Sequence, residues 1–364
     1  MAVIFICLLL LIVIAVYSFM RGPQFGKKPT AAEIGTFRRS DHYLGGQFQN
    51  LSPTPNLSKN ANMAGVMYRF FFKKSPRNKP ARALPSGKSD LKNLAPYENI
   101  LVWFGHSSYF LQLDGKAFLI DPVFSGAASP VKATTRSFRG SDVYTAEDMP
   151  EIDVLFISHD HWDHLDHETV LKLKPKVKRI VTGLGTGAHL KSWGYDASKI
   201  TELDWWEHAY LISGFKVHAT PARHFSGRGL KRNGTLWTSF VLETPSRKVF
   251  LGGDSGYDFH FADIGRKHGP FDLAVLECGQ YNPDWPYIHM LPGEWKQAAL
   301  DLNAHAVLPV HWAKFSLAPH AWDEPIEKIS EEFSHGDIQL WTPAIGEKVD
   351  FDDLVPFSKW WKTV

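Results

Sequence analysis

Short apolar runs alternate with polar or glycine-rich stretches along most of the chain. Short runs rich in β-branched and aromatic side chains predict buried strands. In the first half these runs cover residues 100–104, 109–113, 117–120, 152–157 and 178–182. In the second half they cover residues 215–220, 235–244, 248–251, 271–276, 306–310 and 338–341. Predicted helices at 167–173, 291–303 and 325–333 add a helical layer to each half, which predicts an α/β chain folded as an αββα sandwich.

The first twenty residues carry no charged side chain and are long enough, as a helix, to cross a membrane. A cleaved signal peptide is the alternative, but no Lys or Arg precedes the run and residues 15–18 make a poor cleavage site. We therefore predict a transmembrane anchor at 1–20, a linker and N-terminal arm at 21–97, and a globular domain at 98–364. Positive charge just after the anchor predicts a single-pass membrane protein whose globular domain is cytoplasmic.

Composition is that of an ordinary globular protein. Of 364 residues, 44% are hydrophobic and 21% are charged, which is enough to build a sizeable core. The net charge of +2 gives no argument for a nucleic-acid partner. The two cysteines, Cys7 and Cys278, do not make a disulfide framework because Cys7 lies inside the apolar N-terminal run.

The stretch 158–166 holds three histidines and three aspartates directly after the predicted strand 152–157. Loops that leave a buried strand are places where a rigid scaffold presents functional groups. His159 and His161 are two residues apart, so an extended backbone directs both side chains to the same side. Asp163 and His164 can face a second metal once the chain turns. Imidazole and carboxylate are ligands that zinc accepts, so this stretch predicts a metal site rather than a solvated loop.

The spacing His159-x-His161-x-Asp163-His164 resembles the signature of the metallo-β-lactamase fold superfamily of metal-dependent hydrolases. The resemblance implies further ligands just past later strands, at His224, Asp254 and His311. One site would consist of His159, His161 and His224. The other would consist of Asp163, His164 and His311, with Asp254 bridging the two.

Two residues near the first strands are predicted to support these ligands. Asp121 ends the predicted strand 117–120 and resembles the superfamily aspartate that buttresses the metal ligands. A buried carboxylate of this kind orients an imidazole by accepting its other N–H. For His106 two interpretations stay open, because it can lean over the site or be a histidine that is satisfied within its own turn.

The residues around the ligands are similar to those of the N-acyl phosphatidylethanolamine-hydrolysing phospholipase D family. The matching stretches are 105–108, 121–125, 158–166, 202–206, 221–224, 253–257, 271–274 and 311–312. The resemblance implies a phosphodiesterase with two zinc ions that cleaves a membrane phospholipid to phosphatidic acid and an N-acylethanolamine. Iron or manganese would fit the same ligand types.

The predicted chemistry is attack by a metal-bound hydroxide. Two divalent ions would hold a bridging water and lower its pKa toward neutrality. Asp163 or Asp254 would accept the proton as the reaction proceeds. His289, within the mixed polar and aromatic loop 277–290, is a candidate for contact with the substrate.

Four further side chains are candidates for substrate binding. They are Arg223, Arg228, Tyr281 and Trp285. The two arginines lie close to His224 in sequence and would meet a phosphate, the alternative being surface charge. Tyr281 and Trp285 lie in the loop that would form one wall of the cleft.

Two other functions stay open. A small-molecule hydrolase of the same fold, of the sugar-phosphate lactonase type, predicts a narrow polar cleft and no dependence on membranes. A non-catalytic, membrane-tethered scaffold predicts missing ligands, whereas all seven predicted positions carry ligand residues.

Overall fold

Two seven-stranded β-sheets form the body of the protein in the computed structural model. The structure describes residues 1 and 4–364 in full and residues 2 and 3 by their backbone alone. Apart from the strand at 348–350, which joins the first sheet, the sheets follow the two halves of the chain predicted from the apolar runs. The predicted α/β sandwich of metallo-β-lactamase type is confirmed.

The helices and strands have the following bounds. The α-helices of the described chain are α1 Ala2–Met20, α2 Ala31–Phe37, α3 Met63–Phe72, α4 His167–Leu173, α5 Gly187–Ser192, α6 His260–His268, α7 Trp295–Asp301 and α8 Glu324–Glu332. The strands of the first half are β1 Tyr43–Leu44, β2 Gln47–Phe48, β3 Ile100–Trp103, β4 Tyr109–Leu113, β5 Lys116–Ile120, β6 Ile152–Ile157, β7 Val177–Gly183 and β8 Ile200–Leu203. The strands of the second half are β9 His208–Ile212, β10 Phe215–Thr220, β11 Ser239–Glu243, β12 Lys248–Leu251, β13 Leu273–Glu277, β14 Ala306–Val310, β15 Gln339–Leu340 and β16 Lys348–Asp350.

Strand direction brings the ligand-bearing loops to one end of the sandwich. The first sheet has the order β16-β3-β4-β5-β6-β7-β8, and β5 to β8 are parallel. The second sheet has the order β15-β14-β13-β12-β11-β10-β9, and β12 to β15 are parallel. Parallel strands end at the same edge of a sheet, and active sites of open α/β sheets lie beyond such edges. The loops after β5, β6, β12 and β14 therefore converge.

Successive side chains of a strand point to opposite faces of its sheet, and this divides the core into layers. In β3, Leu101 and Trp103 belong to a cluster that includes both sheets, whereas Ile100 and Val102 belong to a cluster with α4 and α5. A strand buried on both faces has a continuous apolar run, which is why these strands were visible in the sequence. Each fully buried large side chain contributes roughly 1.5–3 kcal/mol to stability.

The predicted membrane anchor is not supported by the structure. Among the residues whose side chains are described, no helix is both long enough and apolar enough to cross a membrane. The predicted single-pass membrane localisation, with a cytoplasmic catalytic domain, is therefore wrong.

The N-terminal arm is packed against the sandwich. It contains α2, the β1–β2 hairpin and α3. Phe37 and Phe48 are buried in a cluster with Trp205 and Trp237 of the globular part. Polar contacts from this arm also reach the loops of the candidate site.

Candidate metal centre

Three imidazoles meet beyond the ends of β6 and β10. The Nε2 atom of His159 lies 2.9 Å from Nδ1 of His161, and Nε2 of His224 lies 3.2 Å from that same Nδ1. Zinc at about 2.05 Å from each nitrogen of a tetrahedral site separates its ligands by roughly 3.3 Å. The spacing of the three nitrogens therefore fits one divalent transition-metal ion.

A second cluster lies beside the first. His106, Asp163, His164 and His311 each offer a ligand atom, and these four atoms lie within 4.8 Å of one another. The Nε2 atom of His164 is buried and has no hydrogen-bond partner within the described structure. A buried polar atom of this kind normally has a partner, so the orphaned nitrogen fits a bound cation.

Asp254 lies between the two clusters. Its Oδ2 is 3.2 Å from Nε2 of His164, and its Oδ1 is 3.1 Å from Nδ1 of His311. The same Oδ2 is 3.7 Å from Nε2 of His224 and 3.9 Å from Nε2 of His159. The carboxylate thus faces both clusters, as a bridging ligand would. The individual ligand assignments remain predictions, and the fold together with this donor set implies a divalent metal ion.

The charge states of three of the histidines and of Asp254 suit metal binding. Burial lowers the pKa of His159, His224 and His311 well below the ordinary histidine value, so these imidazoles are neutral at neutral pH. Burial opposes ionisation of Asp254, but His164 and His311 together lower the pKa of that carboxyl well below its usual value. Neutral imidazole and ionised carboxylate are the forms that bind a metal.

The backbone of the site is held in a rare conformation. His106, Asp121 and His311 have φ values of +53°, +41° and +70°. Such left-handed residues cost roughly 1–3 kcal/mol each and persist only where the surroundings hold them. Here the His106 N–H donates to the Trp312 carbonyl at 2.8 Å, and the His311 N–H donates to the His106 carbonyl at 2.9 Å. The loops after β3 and β14 therefore fix each other across the two sheets.

Asp121 supports the metal loop from behind. Its Oδ1 accepts the backbone N–H of Ser158 at 2.8 Å, and its Oδ2 accepts Nδ1–H of His164 at 2.8 Å. The side chain is 1% exposed. Because Nδ1 of His164 is used in this way, Nε2 is left to point into the cluster. The structure thus places Asp121 where a buttressing carboxylate is predicted.

We expect Asp121→Ala to lower metal affinity or activity by roughly 10- to 100-fold, because the His164 ring loses the acceptor that orients it. Chelator competition and kcat/KM measured on the same preparation would show the loss. Asp153→Ala is a matched control, since Asp153 also accepts a backbone N–H, that of Ala117, but lies on β6 before the metal loop. Equal metal affinity in the two variants would contradict the assigned role.

His106 contacts the site directly. Its Nε2–H donates to Oδ2 of Asp163 at 2.9 Å, and its side chain is fully buried. Its Nδ1 has no hydrogen-bond partner among the described atoms. Of the two interpretations, the structure favours the histidine that leans over the site.

A cavity of about 210 Å³ opens onto the two clusters. The residues that line it are His161, Asp163, His224, Phe225, Asp254, Gln280, Trp285, Ile288, His289, His311 and Leu317. Trp285 and His289 thus lie where the sequence predicts substrate contacts. Phe225 and Leu317 had no sequence signal, because a single apolar residue in a loop looks the same whether it lines a cleft or the core.

Three predicted substrate contacts, Arg223, Arg228 and Tyr281, do not line the cavity. Each of them instead makes hydrogen bonds to other groups of the protein. Arg223 donates to the Thr54 hydroxyl at 3.0 Å and to the Pro53 and Tyr257 carbonyls at 2.9 and 3.1 Å. The Tyr281 hydroxyl donates to Glu324 at 2.7 Å.

Arg228 is the third of these residues and is 4% exposed. Its guanidinium donates to the Asp160 carbonyl at 2.9 Å and to the Leu165 carbonyl at 2.6 Å. It also donates to the Gln24 carbonyl at 3.1 and 2.9 Å. Arg228 therefore ties both ends of the metal loop to the N-terminal arm instead of meeting a phosphate.

Glu277 lies at the site but was not among the functional residues predicted from the sequence. One of its oxygens accepts the Met290 N–H at 2.6 Å, and the other lies 3.4 Å from Nδ1 of His289. Burial raises the pKa of Glu277 to about 7, against the opposing effect of His289. A charged residue at the end of a buried strand was the available signal, since such a residue needs a partner.

This fold and donor set define a metal-dependent hydrolase of the metallo-β-lactamase fold. The chain belongs to the β-lactamase superfamily, because the family model described as a β-lactamase superfamily domain matches residues 116–312. The superfamily membership predicted from the 159–164 spacing is therefore confirmed.

Two known proteins are similar in sequence to most of this chain. An uncharacterized protein of Mycobacterium tuberculosis is 36% identical over 328 residues, which cover 89% of this chain and 88% of that protein. The N-acyl-phosphatidylethanolamine-hydrolyzing phospholipase D 1 of Caenorhabditis elegans is 32% identical over 279 residues, covering 68% of this chain and 77% of that protein. The predicted relationship to that phospholipase family is confirmed.

A solved structure supports the fold independently. Igni18, a metallo hydrolase from Ignicoccus hospitalis, aligns with a TM-score of 0.54 and 21% identity. The alignment covers 71% of this chain and 99% of that one.

Proposed function

We propose that this protein is a binuclear zinc phosphodiesterase of phospholipase D type that acts on N-acyl phosphatidylethanolamine-like phospholipids. The observation that carries the proposal is the position of Asp254, whose two oxygens face the two histidine clusters at once. Two ions bridged by a carboxylate suit hydrolysis of a phosphodiester, because one can stabilise the attacking oxygen and the other the leaving oxygen.

The cleft walls support a lipid substrate. The metal-facing wall is made of histidines and carboxylates, whereas Phe225, Trp285, Ile288 and Leu317 make an apolar wall. A phosphodiester with apolar chains presents the same two chemistries to its binding site. The Caenorhabditis elegans relative, whose name states this activity, supports the choice of lipid.

When bound, the two ions would lower the pKa of water and neutralise charge on the phosphoryl oxygens. The chain itself holds and moves protons. His289 is buried, which opposes its charge, but Glu277 raises its pKa. Since Nδ1 of His289 faces Glu277, Nε2 is free to donate a proton to the leaving oxygen.

The proposed reaction is the hydrolysis of a phosphodiester bond. Oxygen from water forms a bond to phosphorus, and the bond between phosphorus and the ethanolamine oxygen breaks. Asp163 or Asp254 accepts the proton from water, and His289 supplies one to the departing N-acylethanolamine. Phosphatidic acid is the other product.

The test is release of phosphatidic acid from N-acyl phosphatidylethanolamine in detergent micelles by the full chain. We expect release to require added zinc after chelation, with parallel reconstitution by iron and manganese to identify the metal. His161→Ala should abolish release, because it removes one of the three predicted metal ligands of the first cluster. The Nδ1 atom of His161 lies 2.9 Å from Nε2 of His159 and 3.2 Å from Nε2 of His224. Circular dichroism would show that this variant is folded.

The other outcomes separate the alternatives. Turnover of a simple phosphodiester that needs His161, without lipid release, would keep the metal centre and reject the lipid. Hydrolysis of a lactone, without turnover of any phosphodiester, would favour the sugar-phosphate lactonase function. Full metal occupancy without turnover of any ester would contradict an enzymatic role.

A further inference from the structure

A second group of metal-ligating side chains lies on the outer face of the second sheet. His218 on β10, Glu243 on β11 and His268 at the end of α6 each offer one ligand atom, and these atoms lie within 4.8 Å of one another. Val217 and Ala219 of β10 are fully buried in the core between the sheets. Because side chains alternate along a strand, His218 faces the opposite side, away from the core.

The contacts among these residues leave donors available. The Nε2 atom of His218 lies 3.5 Å from Oε2 of Glu243, and the rings of His218 and His268 are 4.4 Å apart. The same Nε2 is buried and makes no hydrogen bond within the described structure. Buried imidazole nitrogens usually have a partner, so this nitrogen points to a ligand.

The protonation states suit a metal ion as well. Burial lowers the pKa of His218, and burial together with His218 lowers that of His268 to about 4. Both rings are therefore neutral at neutral pH, as metal binding requires. Two imidazoles and one carboxylate make a donor set that zinc uses in proteins.

A fourth donor lies within reach. His208 on β9 is directly opposite His218 in the strand register, and the two rings are 5.5 Å apart. His208 is exposed and can rotate. Water can otherwise complete four-coordinate zinc.

Lys216, Lys248 and Lys267 lie near the group, and Lys248 is the lysine that contacts Glu243. Nζ of Lys248 lies 3.6 Å from Oε1 of Glu243 and donates to the His268 carbonyl at 2.8 Å. The lysine thus faces one carboxylate oxygen and leaves Oε2 for the histidine pair. His268 also lies at the C-terminal end of α6, where the helix dipole favours a cation.

We propose that His218, Glu243 and His268 form a further zinc site, separate from the catalytic cleft, that fastens the end of α6 to the second sheet. The ion would be a borderline divalent transition metal, with zinc as the expected occupant. The site requires no contribution from the ligands at the cleft, and it does not rest on the proposed function.

The test is a calorimetric titration of Zn²⁺ alone into the full chain. The cleft sites of this protein are loaded with metal beforehand. We expect one additional equivalent in the wild type. His268→Ala and Glu243→Gln should each weaken its binding by at least about tenfold, which is about 1.4 kcal/mol. His305→Ala is the matched control, because His305 is an exposed histidine of the same half of the chain and lies outside the cluster.

Two further readouts decide the interpretation. Hydrolysis by loaded His268→Ala should equal that of the wild type, since the site lies outside the cleft. Added Zn²⁺ should raise the Tm of the loaded wild type more than that of Glu243→Gln at the same concentration, because a ligand that binds only the folded state stabilises it in proportion to its affinity. Absence of the extra equivalent in the wild type, or an affinity equal to that of the wild type in both variants, would overturn the proposal. Because Glu243 is half-exposed, its variant tests the site even if His268→Ala does not fold.

Discussion

Asp254→Ala is expected to lower kcat/KM for phosphodiester hydrolysis by about a thousandfold or more, equivalent to roughly 4 kcal/mol of transition-state stabilisation. The carboxylate faces nitrogens of both clusters at 3.1 to 3.9 Å. Its loss would remove the negative charge that balances the proposed pair of cations, and it would remove the group that can hold them together. Metal content should therefore fall together with activity.

Parallel measurement of kinetics and bound metal separates this loss from unfolding. Asp263→Ala is the matched control, since Asp263 is an acidic residue of α6 that pairs with Arg266 on the outside of the protein. The control should keep both metal content and activity. A folded Asp254→Ala protein with two metal equivalents and activity within tenfold of wild type would rule out a bridging role.

Arg228→Met is expected to lower the free energy of unfolding of the metal-free protein by about 3–5 kcal/mol. The guanidinium satisfies the buried carbonyls of Asp160 and Leu165 and the part-buried carbonyl of Gln24, and the apolar replacement leaves them unpaired. It also lies over the Trp162 ring, 4.0 Å from its centroid, so a cation–π contact is lost. Metal affinity should fall as well, because Asp160 and Leu165 lie on either side of the predicted ligands His161, Asp163 and His164.

Urea unfolding followed by tryptophan fluorescence measures this effect. Arg228→Lys should recover little of the lost stability, because an ammonium cannot reproduce the fork of guanidinium donors. Arg266→Met, at an arginine whose side chain is 70% exposed, is the control and should change stability by less than about 0.5 kcal/mol. A loss below about 1 kcal/mol for Arg228→Met would mean that the metal loop is held by other contacts.

Much of the fold was visible in the sequence because both faces of most strands are buried. The apolar runs at 109–113, 215–220, 248–251 and 306–310 coincide with β4, β10, β12 and β14. The ligand positions were visible for a related reason. Polar residues that directly follow such runs collect at one edge of the sheets, as His159, Asp254 and His311 do.

The supporting contacts of the site were not visible, because they join distant parts of the chain. Asn50 accepts the His224 N–H at 3.0 Å and donates to the His224 carbonyl at 2.8 Å across 174 residues. Nothing in the arm's own composition indicates this pairing. Arg223 and Arg228 were expected at the substrate because they neighbour His224 in sequence. The arm instead supplies the carbonyls that use them, from Pro53 and Gln24.

The predicted membrane anchor failed for a different reason. An uncharged apolar run shows helix propensity and hydropathy, and α1 is indeed helical. Hydropathy of a run does not by itself establish a membrane span, and among the residues whose side chains are described no helix qualifies as one. The group formed by His218, Glu243 and His268 was also hidden, because its members come from three elements and lack a characteristic spacing.

The pairing of β16 with β3 has a consequence for how the protein is synthesised. Lys348, Val349 and Asp350 pair with Val102, Leu101 and Ile100, so the last strand of the chain completes the sheet formed by the first half. A ribosome-bound chain therefore exposes this edge of β3 until Lys348–Asp350 has been synthesised. Open strand edges template association with other chains, and long-range pairing of this kind slows folding. Chains interrupted before β16 would thus be candidates for chaperone capture, although they already carry every predicted metal ligand.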